Sequence, residues 1–317
     1  MTIHVALQQA RAQLRNSSTP SLDAELLLCA VIGQGRAYLH AHGSEELDNR
    51  SLEQFEIFVN KRGQGSPLAY LIHEKEFFGR PFYVDERVLI PRPETEEMLE
   101  DALCALRSNT DIVHILDLGT GSGCLAISLA LELPERRVYG LEVSPAALEV
   151  ARKNAKKYRC ENLRLISSDL LSSFQFSPDR GNLEDQKDEV SADKVSRHHR
   201  DPGEHLDPLN PPAVAILANL PYIGRESNDF VSEETVRHEP ELALYGGSDG
   251  LELYRRCWQQ IKEMQLKVAY LFMEIGFSQA EQMEKEAREA FPEMRYVLKH
   301  DLAGLPRTAI LESCQEW

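Results

Sequence analysis

The chain predicts an α/β fold, an open and mostly parallel sheet set behind a small N-terminal helical bundle. Three observations lead there. Beyond residue 110, short apolar runs recur at Ile112 to Leu118, Val138 to Val143, Leu163 to Ser167, Ala213 to Ala218 and Val268 to Ile275. Helical stretches separate most of them, the rhythm of parallel strands joined by crossover helices. A glycine-rich turn, Gly119-Thr120-Gly121-Ser122-Gly123, follows the first run directly. Two last runs, Arg295 to Lys299 and Thr308 to Leu311, lie close enough to pair as a C-terminal antiparallel hairpin.

In chain order, residues 1–76 read as a helical domain. Helices are expected at Val5 to Leu14, at Ser21 to Ile32 after Pro20, and at Ser44 to Lys61. In the second, Leu22, Leu26 and Cys29 form one apolar stripe for packing. Residues 77–92 turn aromatic and β-branched, broken by Gly79-Arg80-Pro81, and predict a β-hairpin linker. Residues 93–317 form the larger domain, opened by a helix with Pro93 near its first position and Glu94 and Glu96 in its first turn. Residues 172–212 interrupt it with too little apolar surface to offset ordering entropy, so a disordered surface insertion is expected. His198, His199 and His205 lie there without a neighbouring cysteine, and no metal site is expected.

Composition narrows the function. At 317 residues, 42% hydrophobic and 27% charged, the chain reads as an ordinary soluble protein. No run approaches the roughly 20 apolar residues of a membrane span, and the first residues lack a secretory signal, so a cytoplasmic location without membrane contact is expected. Six scattered cysteines fit reduced thiols. A formal net charge of −16 repels a polyanion, which argues against direct nucleic-acid binding and favours a protein or small-molecule substrate.

The glycine turn allows close approach of a ligand to backbone N–H groups at a helix start. It lacks the Gly-Lys-Ser/Thr ending of a phosphate loop, and Cys124 stands where a dinucleotide fingerprint wants a small residue, so a pyrophosphate is not suggested. Glu142 ends the second strand, where a carboxylate accepts both hydroxyls of a ribose. Asp169 ends the third strand, placed to accept from the exocyclic amine of adenine while Leu170 covers the ring. Each alone reads as a strand-end cap; together they outline an adenosine.

Asn219-Leu220-Pro221-Tyr222 ends the fourth strand, where an open parallel sheet places its chemistry. The Asn219 amide oxygen and the Leu220 main-chain carbonyl, stiffened by Pro221 and followed by the Tyr222 ring, suit a planar NH2 group. Such a pocket accepts both its protons and fits methyl transfer to nitrogen. Asn210-Pro211-Pro212-Ala213 mimics this pattern, but it precedes the strand and lacks the aromatic residue.

With DAELLL at 23–28, PLAYLI at 67–72, VLIPRPETE at 88–96, DLGTGSG at 117–123, NLPYI at 219–223, HEPELALYGGSDGLELYRR at 238–256 and EIGFSQ at 274–279, nearly the whole chain resembles the peptide chain release factor N5-glutamine methyltransferases. These are class I S-adenosylmethionine-dependent methyltransferases with a Rossmann-like sheet. The resemblance implies S-adenosylmethionine contacts at Gly119, Thr120, Gly121, Ser122, Gly123, Glu142, Leu170 and Asn219. It puts a substrate glutamine, from the Gly-Gly-Gln loop of a release factor, on Asn219 to Tyr222. It also implies that Glu239-Pro240 and residues 246–250 form a loop over the substrate entrance, and a monomer is expected. Leu220 replaces the family's usual first proline, and Glu142 its commoner aspartate. His73 and Leu170 stand where glycine and a larger aromatic are frequent. Alternative substrates are a ribosomal-protein glutamine and, less favoured by the acidic charge, adenine N6 in a nucleic acid.

Overall fold

The computed structural model describes residues 1–176, 212–226 and 232–315. Residues 177–211, with the three histidines and most of the expected insertion, lie outside the described residues.

The N-terminal helices are α1 (Ile3–Gln13), α2 (Pro20–Ile32), α3 (Arg36–Ala41), α4 (Asn49–Gly63) and α5 (Leu68–Ile72). Their shared core is built from residues such as Leu7, Leu27, Leu28, Phe55 and Val59. The stripe expected on α2 is only partly the packed face: Cys29 packs against the core, but Leu22 is 37% exposed, and the fully buried residues are Ala24, Leu27 and Leu28. The buried face also carries Asp23 and Glu25 because arginines meet their charges, Arg62 on Asp23 at 2.7 Å and Arg11 and Arg36 on Glu25 at 3.1 and 2.8 Å. Burial works against the Asp23 charge, but hydrogen bonds from Arg62, Ser17 and Thr19 outweigh it and hold its pKa below the ordinary range. The helix expected from Ser44 starts instead at Asn49, where Asp48 accepts the Ser51 N–H at 2.9 Å as N-cap.

A short hairpin, β1 (Lys75–Phe77) with β2 (Arg80–Phe82), leads through an irregular stretch into α6 (Pro93–Ser108). There follow β3 (His114–Leu118), α7 (Cys124–Glu132), β4 (Arg137–Glu142), α8 (Pro145–Tyr158), β5 (Leu163–Ser167) and β6 (Val214–Ala218). Then come α9 (Glu233–His238), α10 (Glu241–Leu244), α11 (Glu252–Glu263), β7 (Val268–Glu274), a 3-10 turn (Phe277–Gln279), α12 (Ala280–Ala290), β8 (Met294–His300) and β9 (Pro306–Ser313). Among the described residues, seven strands form one sheet in the order β5-β4-β3-β6-β7-β9-β8. It is parallel from β5 to β7, and antiparallel where β9 inserts between β7 and β8.

Successive residues of β3 point to opposite faces, Ile115 into one core and Leu116 into the other. Helices α6, α7 and α8 cover the first face, α11 and α12 the second. The strand order turns back at β3, so a crevice opens at the C-terminal ends of β3, β4 and β6. The boundary expected at residue 172 lies too early. Phe174 is 3% exposed and meets Tyr139 edge-on at 5.2 Å, and Phe176 meets His114 at 5.1 Å. These aromatic faces continue the second core past the end of β5.

Candidate active site

The turn after β3 holds Gly119, Gly121 and Gly123 at φ of 72°, 56° and 81°, a region that side chains rarely enter. Gly119 and Thr120 donate their N–H groups to the Leu141 carbonyl at 2.8 and 3.1 Å, which seats the turn against β4. Beneath it, buried Asp117 accepts the Thr120 hydroxyl at 2.6 Å and the Ala126 N–H at 3.1 Å. Burial pushes its pKa up to about 7.

Glu142 closes the far side of the turn. One carboxylate oxygen accepts the Gly121 N–H and the other the Ser144 N–H, each at 2.9 Å. Burial raises its pKa, and these backbone donors work against the rise. Asp169 sits at the rim, paired with Arg256 at 2.5 Å. Leu170 is buried and takes a left-handed φ of 53°, held by the Ser168 hydroxyl, which donates to the Leu170 carbonyl at 2.8 Å and accepts the Ser173 N–H at 3.0 Å. Asp117, Gly121, Glu142, Asp169, Leu170 and Asn219 border one cavity of about 300 Å³, at the lower end of small-molecule sites.

At the opposite wall, Asn219 donates from its amide nitrogen to the Thr95 hydroxyl oxygen at 3.0 Å, and Thr95 donates to Glu274 at 2.6 Å. The fully buried Tyr254 hydroxyl bridges the carbonyls of Ala218 and Glu274, which ties the ends of β6 and β7 together. Leu220 and Pro221 also border the cavity. Tyr222 is set behind them, its hydroxyl 3.3 Å from the other Glu274 oxygen and its carbonyl accepting Gln279 at 2.7 Å. Residues 246–250 press on this tetrapeptide from behind. A Cβ on Gly246 would overlap the Pro221 carbonyl, and one on Gly250 the Tyr222 carbonyl. Across the mouth, Arg92 pairs with buried Glu239 at 2.5 Å, and the Ile90 N–H reaches the same carboxylate at 3.1 Å.

Residues 5–72 match the PrmC N-terminal domain, and residues 109–214 match a methyltransferase domain. A release factor glutamine methyltransferase of Bacillus cereus is 32% identical over 314 residues, covering 98% of this chain and 99% of the relative. This chain belongs to the release factor glutamine methyltransferase family. Relatives of the same description from Koribacter versatilis and Salmonella typhimurium are also 32% identical, over 98% of both chains and over 87% of this chain and 86% of the relative. The matched domain and the strand order together make the fold that of a class I methyltransferase.

Of the residues singled out in the sequence of this family member, the structure gathers Gly119, Thr120, Gly121, Ser122, Glu142, Asp169, Leu170, Asn219, Leu220 and Pro221 around one cavity. Gly123 stands apart: a Cβ there would meet Ile127 at 3.0 Å and Ala151 at 3.3 Å, so its bareness lets α7 pack on α8. Sequence reasoning left Thr95, Asp117 and Glu274 without roles. Asp117 opens the DLGTGSG segment, and Thr95 and Glu274 lie in two other segments that carry the resemblance, but no local pattern joins residues 179 apart.

Proposed function

We propose that this chain transfers a methyl group from S-adenosylmethionine to the side-chain nitrogen of the glutamine in the Gly-Gly-Gln motif of a peptide chain release factor. The observation that carries the reading is that Glu142 and Asn219, the expected ribose acceptor and amide acceptor, border the same cavity in a member of this family. The cavity also fits the cofactor in chemistry: a buried carboxylate at a strand end for vicinal hydroxyls, a rim carboxylate for an amine, and the apolar side chain of Leu170 for the ring, all bordering one cavity.

In this reading Glu142 holds the ribose, Asp169 and Leu170 the adenine, and the glycine turn the rest of the cofactor. When bound, S-adenosylmethionine supplies an electrophilic methyl on sulfur. A glutamine amide nitrogen is a poor nucleophile because its lone pair is shared with the carbonyl, so positioning carries most of the catalysis. The Asn219 amide oxygen and the Leu220 carbonyl accept the two N–H protons of the substrate and fix its plane. They also stabilise positive charge growing on that nitrogen, the sign-reversed counterpart of an oxyanion hole. No strong base is needed, since a methylated, positively charged amide gives its proton to water.

Incubation with labelled S-adenosylmethionine and, separately, a release factor, a ribosomal protein and nucleic acid tests the proposal. Label should enter the release factor. Label confined to either of the other two would replace it.

A further inference from the structure

An asparagine side chain offers an acceptor on one side and a donor on the other, so its use as an acceptor depends on what fixes its rotation. Thr95 has one hydroxyl proton, and that proton goes to Glu274 Oε2 at 2.6 Å. A carboxylate has no proton to return. The Thr95 oxygen is thereby left as an acceptor only, and it takes the Asn219 Nδ2–H at 3.0 Å. The direction of this chain of donors leaves the Asn219 oxygen for the cavity.

We propose that Thr95 and Glu274 are positioning residues that set the polarity of the Asn219 amide and so keep it an acceptor for the substrate NH2. This rests on the glutamine reading given above. The pair is built to hold its direction. Glu274 is buried, and its second oxygen accepts from Tyr222, so neither oxygen is left to rotate toward a new partner. The charged and titratable groups around it are Glu94 beside Thr95 on α6, Cys124 on α7, Tyr222 after β6, Tyr254 on α11 and Arg307 on β9. Arg307 is itself held by Asp301 at 3.0 Å.

Replacing Glu274 with methionine removes both carboxylate acceptors, whereas glutamine would keep an oxygen for Thr95 by turning its NH2 to the Tyr222 hydroxyl. In Glu274→Met the Thr95 proton turns to Asn219, and the Asn219 oxygen meets it, presenting NH2 to NH2 in the cavity. The experiment compares the parent with Glu274→Met, Thr95→Val and Thr95→Ser, using a release factor as substrate and thermal melts to confirm folding. Glu274→Met and Thr95→Val should lower kcat about a hundredfold, the scale of a misplaced reacting group, with S-adenosylmethionine affinity unchanged. Thr95→Ser, which keeps the hydroxyl, should turn over like the parent. An activity-independent reading comes from the nitrogen-15 NMR signal of the Asn219 side-chain NH2. It should be protected from solvent exchange in the parent and in Thr95→Ser, and exposed in Glu274→Met. Parent-like turnover in Glu274→Met and Thr95→Val, or an unchanged Asn219 signal in Glu274→Met, would overturn the inference. A parent enzyme that methylates no glutamine would overturn the proposed function instead, and the NMR signal would still decide the polarity.

Discussion

The Glu142 carboxylate accepts the Gly121 backbone N–H at 2.9 Å, so the end of β4 and the glycine turn after β3 are organised by one buried charge. The same side chain holds the Ser144 N–H at the start of α8. Turn, strand end and helix start are thus held together by one side chain, with its carboxylate on the cavity wall.

Glu142→Ala should therefore weaken S-adenosylmethionine binding by roughly 1.5–3 kcal/mol, the value of a hydrogen bond to a charged group, while the protein stays folded. Calorimetry is the measurement. Unchanged affinity would remove Glu142 from the cofactor site.

Asn219→Ala removes the amide acceptor and leaves the glycine turn in place. Turnover should fall by about two to three powers of ten, as when a preorganised transition-state partner is lost. Cofactor affinity should fall much less, and equal losses in both would mean that Asn219 serves binding alone.

Gly250 sits at φ 81° against the Tyr222 carbonyl, with no room for a Cβ. Gly250→Ala should cost about 1–3 kcal/mol from overpacking, with left-handed backbone strain of about 1–2 kcal/mol added. A lower melting temperature and reduced turnover should appear together, because the displaced segment carries Leu220 and Pro221. A variant that melts with the parent would show that the loop yields without moving the site.

Burial pushes the Glu274 pKa up to about 7, against the opposing Thr95 and Tyr222 hydrogen bonds and the Arg307 charge. Only the ionised form accepts from Thr95 without a proton to return, so kcat should rise as pH passes upward through about 7. Glu274→Gln should lose that limb of the profile. Stability runs the other way: with the folded pKa above the ordinary carboxylate value of 4.5, the contribution of Glu274 is complete below about 4.5 and is lost as pH rises through about 7. A rising limb that survives in Glu274→Gln would assign it elsewhere, and Asp117, also pushed up to about 7, is the next group to replace.

Phe174 was expected to lie in a polar insertion, yet it is wedged between Tyr139 and Phe176. Phe174→Ala should destabilise the protein by about 3–5 kcal/mol, measured by denaturant unfolding. A loss below about 1 kcal/mol would mean that the aromatic cluster adds little to the sheet.

The central strands β3 and β6 were legible because they are buried on both faces and read as nearly continuous apolar runs, while the edge strand β5, from Leu163 to Ser167 as expected, alternates buried and half-buried residues before its exposed end. The bundle was harder. Helices α3 and α5 have six and five residues, too few to show a helical period. The packed face of α2 was misread because Asp23 and Glu25 are buried by arginines from elsewhere in the chain, one of them 39 residues away. At the site, Glu142 and Asn219 stood out because one ends β4 and the other directly follows β6. Thr95 and Glu274 did not, since their meaning lies in hydrogen bonds between α6, β7 and the turn after β6, which only folding brings together.

Mass spectrometry of a release factor, after incubation with the enzyme and S-adenosylmethionine, tests the central claim most directly. One added methylene should map to the glutamine of the Gly-Gly-Gln loop. It should be absent when that glutamine becomes asparagine, whose shorter side chain cannot bring its nitrogen to the same place, and nearly absent with Asn219→Ala. An unmodified glutamine, with methyl groups appearing only on DNA or RNA, would contradict the account.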